Sequence, residues 1–430
     1  MSLSDPEWNR FLGELKKKKC CLLMGPEINC IGAQGEQRTV LQAFSGYLEK
    51  RLQEEQIEYD KSIDSFYYRA HKFIAKKYPD RLFLFKDEIE QFCNESLNIL
   101  PEYFKKLVKL PFNSIISMTP DSFIGNTLRD AGYELVEEYY DYSEQAKKSI
   151  EITEEMQLVY NVFGNYNNPS SVAVTEKGQL DQIKSLVSGL PGLPTQVITR
   201  FKDETKSFLF LGFNFNDWHF RLIIDALQIP RPTYSFYPIY SKGHEVGLMA
   251  KEFYSEKFGI KFIDPDTDFF LQELITRYET VYGSLDRRMV CVLDYHDDDL
   301  KFLNAVKDQL KKNGISKRMD FIDKTDMAGQ DITELDKKAA EADLYIPLIS
   351  SSFIGDPGCL ARTQKCITQE RTNVVPVIAG YSSYETAFPG LKKKSSIILP
   401  RGAKALASYP DNELVQVCYE IARVINCVIR

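Results

Sequence analysis

The stretch Lys19-Cys20-Cys21-Leu22-Leu23-Met24 is apolar on both faces, and a glycine-bearing loop follows it, Gly25-Pro26-Glu27-Ile28-Asn29-Cys30-Ile31-Gly32. An alternating strand can turn one face to water, but a run of this kind must be covered on both sides. That is the environment of a parallel strand with helical crossovers. The amphipathic pattern from Thr39 to Gln56 supplies the first such helix. Strand, tight loop and helix in this order open a doubly wound α/β domain.

The same grammar continues down the chain. Phe112 to Met118 reads as a strand that stops at Thr119-Pro120-Asp121, because proline cannot continue a central strand. Val159 to Gly164 reads as another strand, with the polar loop Asn165-Tyr166-Asn167-Asn168-Pro169 after it and a further strand expected over Ser171 to Glu176. A helix is expected from Gln179 to Ser188. A buried strand running into a turn is expected from Ser207 to Asp217, and a helix from His219 to Leu227. Tyr234 to Tyr282 mixes both element types. Residues 57–110 carry helical periodicity instead and read as a helical insertion. Its aromatics (Phe66, Tyr67, Tyr68, Phe73, Phe83, Phe85) are taken as core packing rather than a ligand cage. The strand ends at Met24, Met118, Gly164 and Leu211 are the carboxyl ends, where open α/β sheets take ligands.

The pattern restarts near Gly283-Ser284-Leu285, which divides the chain into domains at 1–284 and 285–430. Strands are expected at Met289 to Leu293, Met319 to Ile322, Leu344 to Ile349 and Val374 to Ala379, and a fifth at Ser396 to Leu399. Helices alternate with them at Leu300 to Lys312, Ile332 to Ala342 and Leu360 to Gln369, and Val415 to Ile425 closes the domain. This alternation predicts a flavodoxin-like, five-stranded parallel sheet.

Composition narrows the functional classes. Hydrophobic residues make up 43% and charged residues 27%, the balance of a soluble globular protein. A net charge of −7 argues against broad nucleic-acid binding. The short basic runs Lys16 to Lys19 and Lys392 to Lys394 are solvated faces. No apolar run approaches the ~18 residues a membrane span needs, and the polar start does not read as a signal peptide. Nine cysteines without zinc-like spacing imply no metal site and a reducing, cytoplasmic setting.

Two resemblances are carried by these residues. The first half, about 17–282, resembles the sirtuin-like domains of bacterial defence proteins. The matching features are the glycine loop, Thr119-Pro120-Asp121, Phe163-Gly164 with the later Thr175-Glu176, and Leu209-Phe210-Leu211-Gly212-Phe213-Asn214-Phe215-Asn216-Asp217. The second half resembles a bacterial-type Toll/interleukin receptor (TIR) domain. The carriers are Val290 to His296, Asp326-Met327-Ala328-Gly329-Gln330-Asp331-Ile332, Leu344 to Phe353 and Val374 to Ile378.

The first resemblance implies a Rossmann-like domain that holds NAD or an ADP-ribose-type nucleotide around Gly25, Asn29, Thr119, Gly164 and Asp217. Active members of that family carry an asparagine where Thr119 stands and a proton-accepting histidine where Phe163 stands. Phenylalanine moves no proton. Pro26 removes an amide donor, and Glu27 places a carboxylate beside the expected phosphates. Of the four histidines (His71, His219, His244, His296), none falls in a matching position, and His219 is taken as a capping or surface residue. In the TIR-like half, NAD-cleaving relatives carry a glutamate where Arg362 stands. Glu370 lies about two turns on, and Cys359 is expected to be a buried thiol.

The reading that follows is an interaction and assembly module in prokaryotic conflict signalling, with both NAD-processing sites eroded. Self-association, up to a filament, would run through the loop that includes Lys324, Asp326, Gly329, Asp331 and Ile332. A partner sensor or effector protein is expected, with no membrane and no direct nucleic acid. The alternative is an NAD glycohydrolase or cyclase that uses displaced carboxylates: Asp121, Glu27 or Glu176 in the first half, and Asp323, Asp326 or Glu370 in the second.

Overall fold

A computed structural model describes the chain apart from residues 1–2, 29–30, 33–37, 64, 80, 98–99, 145–148, 154–155, 203–205, 230–233, 239–245, 264–266, 328–331, 370–371, 396, 403 and 429–430. It divides into two compact units. One comprises Met1–Leu128 and Leu135–Leu285, the other Arg129–Glu134 and Asp286–Arg430.

The first unit is built on seven parallel strands: β1 (Cys20–Met24), β2 (Ser114–Ser117), β3 (Leu135–Tyr139), β4 (Gln157–Asn161), β5 (Ser207–Leu211), β6 (Tyr234–Pro238) and β7 (Ile260–Ile263). Their order is β3-β4-β2-β1-β5-β6-β7. Strands β1, β2, β4 and β5 are buried at every position, as central parallel strands covered on both faces are. The chain leaves β1 toward β2 on one side and returns to β5 on the other, so direction switches at β1. Loops diverge at such a switch point and leave a crevice at the carboxyl ends.

The helical insertion contributes Phe66–Lys77, Lys86–Leu97 and Glu102–Lys109. Its aromatics gather on Phe44, which stacks on Phe92 at 4.3 Å and meets Phe66 at 5.1 Å and Tyr166 edge-on at 5.8 Å. A buried carboxylate ties the same region: Glu88 accepts from Arg51 Nε and from Tyr47 Oη, both at 2.9 Å. Burial alone would raise the Glu88 pKa, but Arg51, Tyr47 and Lys77 outweigh it and hold it below the ordinary value. Such a depressed carboxylate stabilises the fold above its unfolded pKa, near ~4.3, and that contribution is lost as pH falls through the lower folded value. Acid titration of Glu88→Gln should therefore show less pH dependence of unfolding below about pH 4.5 than wild type, along with a loss of about 1–3 kcal/mol at neutral pH.

The second unit carries β8 (Met289–Asp294), β9 (Met319–Ile322), β10 (Leu344–Ile349), β11 (Asn373–Val374) and β12 (Val377–Ile378), all parallel. The order is β11-β10-β8-β9, with β12 also on β10. Helices Leu300–Lys312, Ile332–Glu341, Ser351–Gly355, Pro357–Thr368 and Asp411–Val428 alternate with the strands.

Three local expectations fail for identifiable reasons. Ser171 to Glu176 is not a strand: Pro169–Ser171 is a 3-10 turn, and Thr175 caps the helix Glu176–Ser188 through Gly178 N. Val172 and Val174 are apolar because they are buried, not because they pair. Val374 to Ala379 is two short strands, since Pro376 between them has no N–H to give the ladder. The fifth strand at 396–399 reduces to one parallel bridge, Leu399 with Val377.

Candidate functional site

The crevice of the first unit lies where the switch point puts it. A cavity of about 60 Å³ is lined by Pro26 after β1, Thr119 and Pro120 after β2, Phe163 and Tyr166 after β4, and Gln179, Gln182 and His219 from the helices that follow. Phe66 and Tyr67 of the helical insertion complete the wall, so part of that aromatic cluster faces the cavity as well as the core. Thr119 and Phe163, far apart in sequence, thus meet at one site.

The loop after β1 is bound to the protein itself. Gly25 N–H donates to Leu211 O at 2.7 Å, and Glu27 N–H donates to Gly212 O at 2.9 Å. Pro26, between them, has no donor. A Cβ on Gly25 would stand 2.1 Å from the Gly212 carbonyl oxygen, so glycine is needed there for backbone packing. Asn29 lies outside the described residues. Gly164 has a positive φ of +88°, and a Cβ there would meet Ser171 O at 2.2 Å.

Thr119 Oγ1 lies 2.8 Å from Ser117 Oγ, and the Thr119 N–H donates to the same hydroxyl. Asp121 is buried and does not line the cavity. Burial lifts its pKa above the ordinary carboxylate value, against hydrogen bonds from Thr119 and the Phe123 N–H. Its carbonyl accepts from Asn161 Nδ2 at 2.7 Å, which locks the end of β4 to the loop after β2. Asp217 is the N-cap residue of the helix Trp218–Ala226 without a side-chain cap bond, and Glu176 is exposed at its own helix start.

His219 corrects the sequence reading. It is half-buried on the cavity wall rather than at the surface. Burial lowers its pKa below 6.5, against the pull of Asp217. The ring is therefore neutral at pH 7, and its contribution to stability declines as pH falls from 6.5 through the folded value. An NMR titration of the His219 ring protons should give a midpoint below 6.5.

Tyr166 and Gln182 carry no functional reading in the sequence, and Tyr67, expected as core packing, lines the cavity. The only signal for Tyr166 was an aromatic residue set among three asparagines. Two of these residues carry buried polar atoms without a protein partner, Tyr166 Oη and Gln182 Oε1. Such atoms call for water or a ligand.

The described residues of this crevice offer intact NAD little to hold it. Amides 25 and 27 are already used, the described lining contains no lysine or arginine, and about 60 Å³ holds a few waters rather than a dinucleotide.

In the second unit Arg362 is only 8% exposed. Its Nε donates to Asp294 Oδ2 at 2.7 Å, and Nη1 reaches Asp336 Oδ1 at 2.5 Å. Tyr345 Oη also donates to Asp294 Oδ2, at 2.5 Å, and lies 2.9 Å from Thr363 Oγ1. Arg362 therefore fastens the helix Pro357–Thr368 to the end of β8. Cys359 is buried and its thiol is pushed up to about 12, so it is no nucleophile at neutral pH. Lys324 pairs with Asp297, Asp326 accepts from Asp323 N–H, and buried Asp323 pairs with Lys307. Gly329, Asp331 and Glu370 lie outside the described residues, as does the Ile332 side chain. Among the described residues no cluster of His, Cys, Asp or Glu is placed to hold a metal, and no helix is long and apolar enough to cross a membrane.

These features define an α/β protein with a crevice at the switch point of its first sheet. Comparison adds one finding: a family model described as a SIR2-like domain matches residues 113–243. The match runs from β2 to β6 and includes Thr119, Asp121, Phe163, Gly164 and Asp217, while Gly25 and the whole of 286–430 fall outside it. No curated protein matches the chain.

Proposed function

We propose that the chain is a conflict-signalling assembly module, a sirtuin-like scaffold of residues 1–284 joined to a TIR-like domain of residues 285–430, and that neither half cleaves NAD. What supports this is the cavity of the first unit, lined by Phe163, the residue that the sirtuin resemblance aligns with a proton acceptor, and the bonding of the amides of residues 25 and 27 to Leu211 and Gly212. The buried Arg362–Asp294 pair supports the same reading for the second half. Self-association through the Lys324 to Ile332 loop, and a partner sensor or effector, follow from the TIR resemblance alone.

A second reading is NAD hydrolysis, and one observation favours it: neutral His219 shares the cavity with Thr119 and Phe163. The full chain incubated with NAD, with nicotinamide release and light scattering followed together, separates the two. The assembly reading expects no release, and oligomers that shrink when Lys324 and Asp326 are replaced by alanine. Release that disappears in His219→Gln would favour the enzyme.

A further inference from the structure

The end of the first sheet opposite the crevice is rich in lysine. Strands β2, β1 and β5 lie side by side there, and each is entered through a basic segment. Lys16 to Lys19 lead into β1, Lys105 and Lys109 belong to the helix Glu102–Lys109 before β2, and Lys202 closes the helix Thr195–Phe201 before β5. Backbone bonds hold these entrances together: the Asn113 N–H donates to Cys20 O and the Ser207 N–H to Lys19 O, both at 2.8 Å. Lys16, Lys17, Lys19 and Lys202 are exposed, and Lys18, Lys105 and Lys109 are half-buried.

The net charge of −7 averages over the whole chain and hides this concentration. The carboxylates nearest in sequence are Glu14 and Glu102, with Asp203 and Glu204 outside the described residues. Glu279, on the helix Thr267–Tyr282, is taken by Lys106 at 3.1 Å. Lys18 adopts a φ of 57° just past the helix Asp5–Lys16, a left-handed position that favours glycine. The turn itself therefore does not call for lysine. A cation near a helix C-terminus complements the helix dipole, but that effect is confined to the last turn and does not require a run of four.

Spacing and chemistry decide the partner class. Adjacent strands are ~4.8 Å apart, so the three entrances span about 10 Å, the length of about three phosphates of one nucleic-acid strand at ~3.4 Å each. Lysine acts as a point charge without the rigid fork that arginine presents to a guanine edge, which suits a contact with phosphates alone. A membrane-facing patch would set large apolar side chains among the cations, and the basic segments themselves expose none. We propose, beyond the assembly reading, that this lysine edge binds the phosphate backbone of nucleic acid without reading its sequence.

Fluorescence anisotropy of a labelled DNA duplex of about 20 base pairs with the full chain tests this. With about three to four lysines on phosphates, affinity should fall about 40- to 150-fold between about 50 and 200 mM salt. Lys17→Gln with Lys19→Gln should weaken binding at least tenfold at the lower salt and flatten the logarithmic salt slope by about two. Lys18→Gly should flatten the slope by about one yet unfold at no lower temperature than wild type, a combination that a purely structural lysine would not give. Lys392→Gln with Lys393→Gln, in the second unit, should change neither affinity nor slope. The proposal is overturned if the duplex does not bind at the lower salt, if affinity and slope survive the change at Lys17 and Lys19, or if the change at Lys392 and Lys393 weakens binding as much. Tighter binding to phosphatidylserine-containing vesicles than to the duplex would assign the edge to a membrane and overturn it as well.

Discussion

Replacing Arg362 with glutamate should cost the second unit about 3–5 kcal/mol or more, because it removes one partner of a buried ion pair and sets a carboxylate against the other. Asp294 is 1% exposed and receives hydrogen bonds from both Arg362 and Tyr345. With glutamate at 362, Asp294 and the new carboxylate would face each other without a cation, close to Asp336. The substitution that would restore the glutamate expected from the proposed TIR resemblance should therefore lower stability and bring no NAD turnover. Urea unfolding followed by hydrogen exchange of β8 and β10 reads the loss. The double change Arg362→Met with Asp294→Asn should recover most of it, since neither residue then leaves a buried charge unpaired.

Gly25→Ala should destabilise the first unit by about 1–3 kcal/mol or more. The atoms it would strike are the carbonyl of Gly212 at 2.1 Å and 2.6 Å, which are backbone and cannot rotate aside as a side chain can. The loops after β1 and β5 are held together by the Gly25-to-Leu211 and Glu27-to-Gly212 hydrogen bonds, so separating them also strains those bonds. Thermal unfolding without any ligand should show the full deficit. If Gly25→Ala left stability unchanged and impaired only nucleotide binding, the glycine would be serving a phosphate and not the packing of two loops.

Much of the fold was legible because parallel strands carry their burial in their composition. Leu344–Ile349, Met319–Ile322 and Leu300–Lys312 have the bounds that their periodicity predicts. β3, Leu-Val-Glu-Glu-Tyr, was not recognised: it is half-buried at the sheet edge, and two adjacent glutamates hide any apolar run. Val172 to Val174 misled in the opposite direction, because apolar residues packed beneath a loop look the same as apolar residues in a ladder. In the crevice, Thr119 and Phe163 were legible since each follows a recognisable strand. His219, Gln182 and Tyr166 were not, because their meeting depends on how separate helices and loops converge over the sheet. That the amides of residues 25 and 27 are already bonded could be known only from the approach of the loop after β5.

The most direct measurement is nicotinamide release from NAD by the purified full-length chain, at high protein concentration and with a crowding agent, beside His219→Gln and Asp121→Asn. If the chain is the assembly module proposed, with Phe163 on the crevice wall and the amides of residues 25 and 27 bonded within the protein, release should be no greater than buffer for all three proteins. Turnover by the wild type that is lost in either variant would contradict the account.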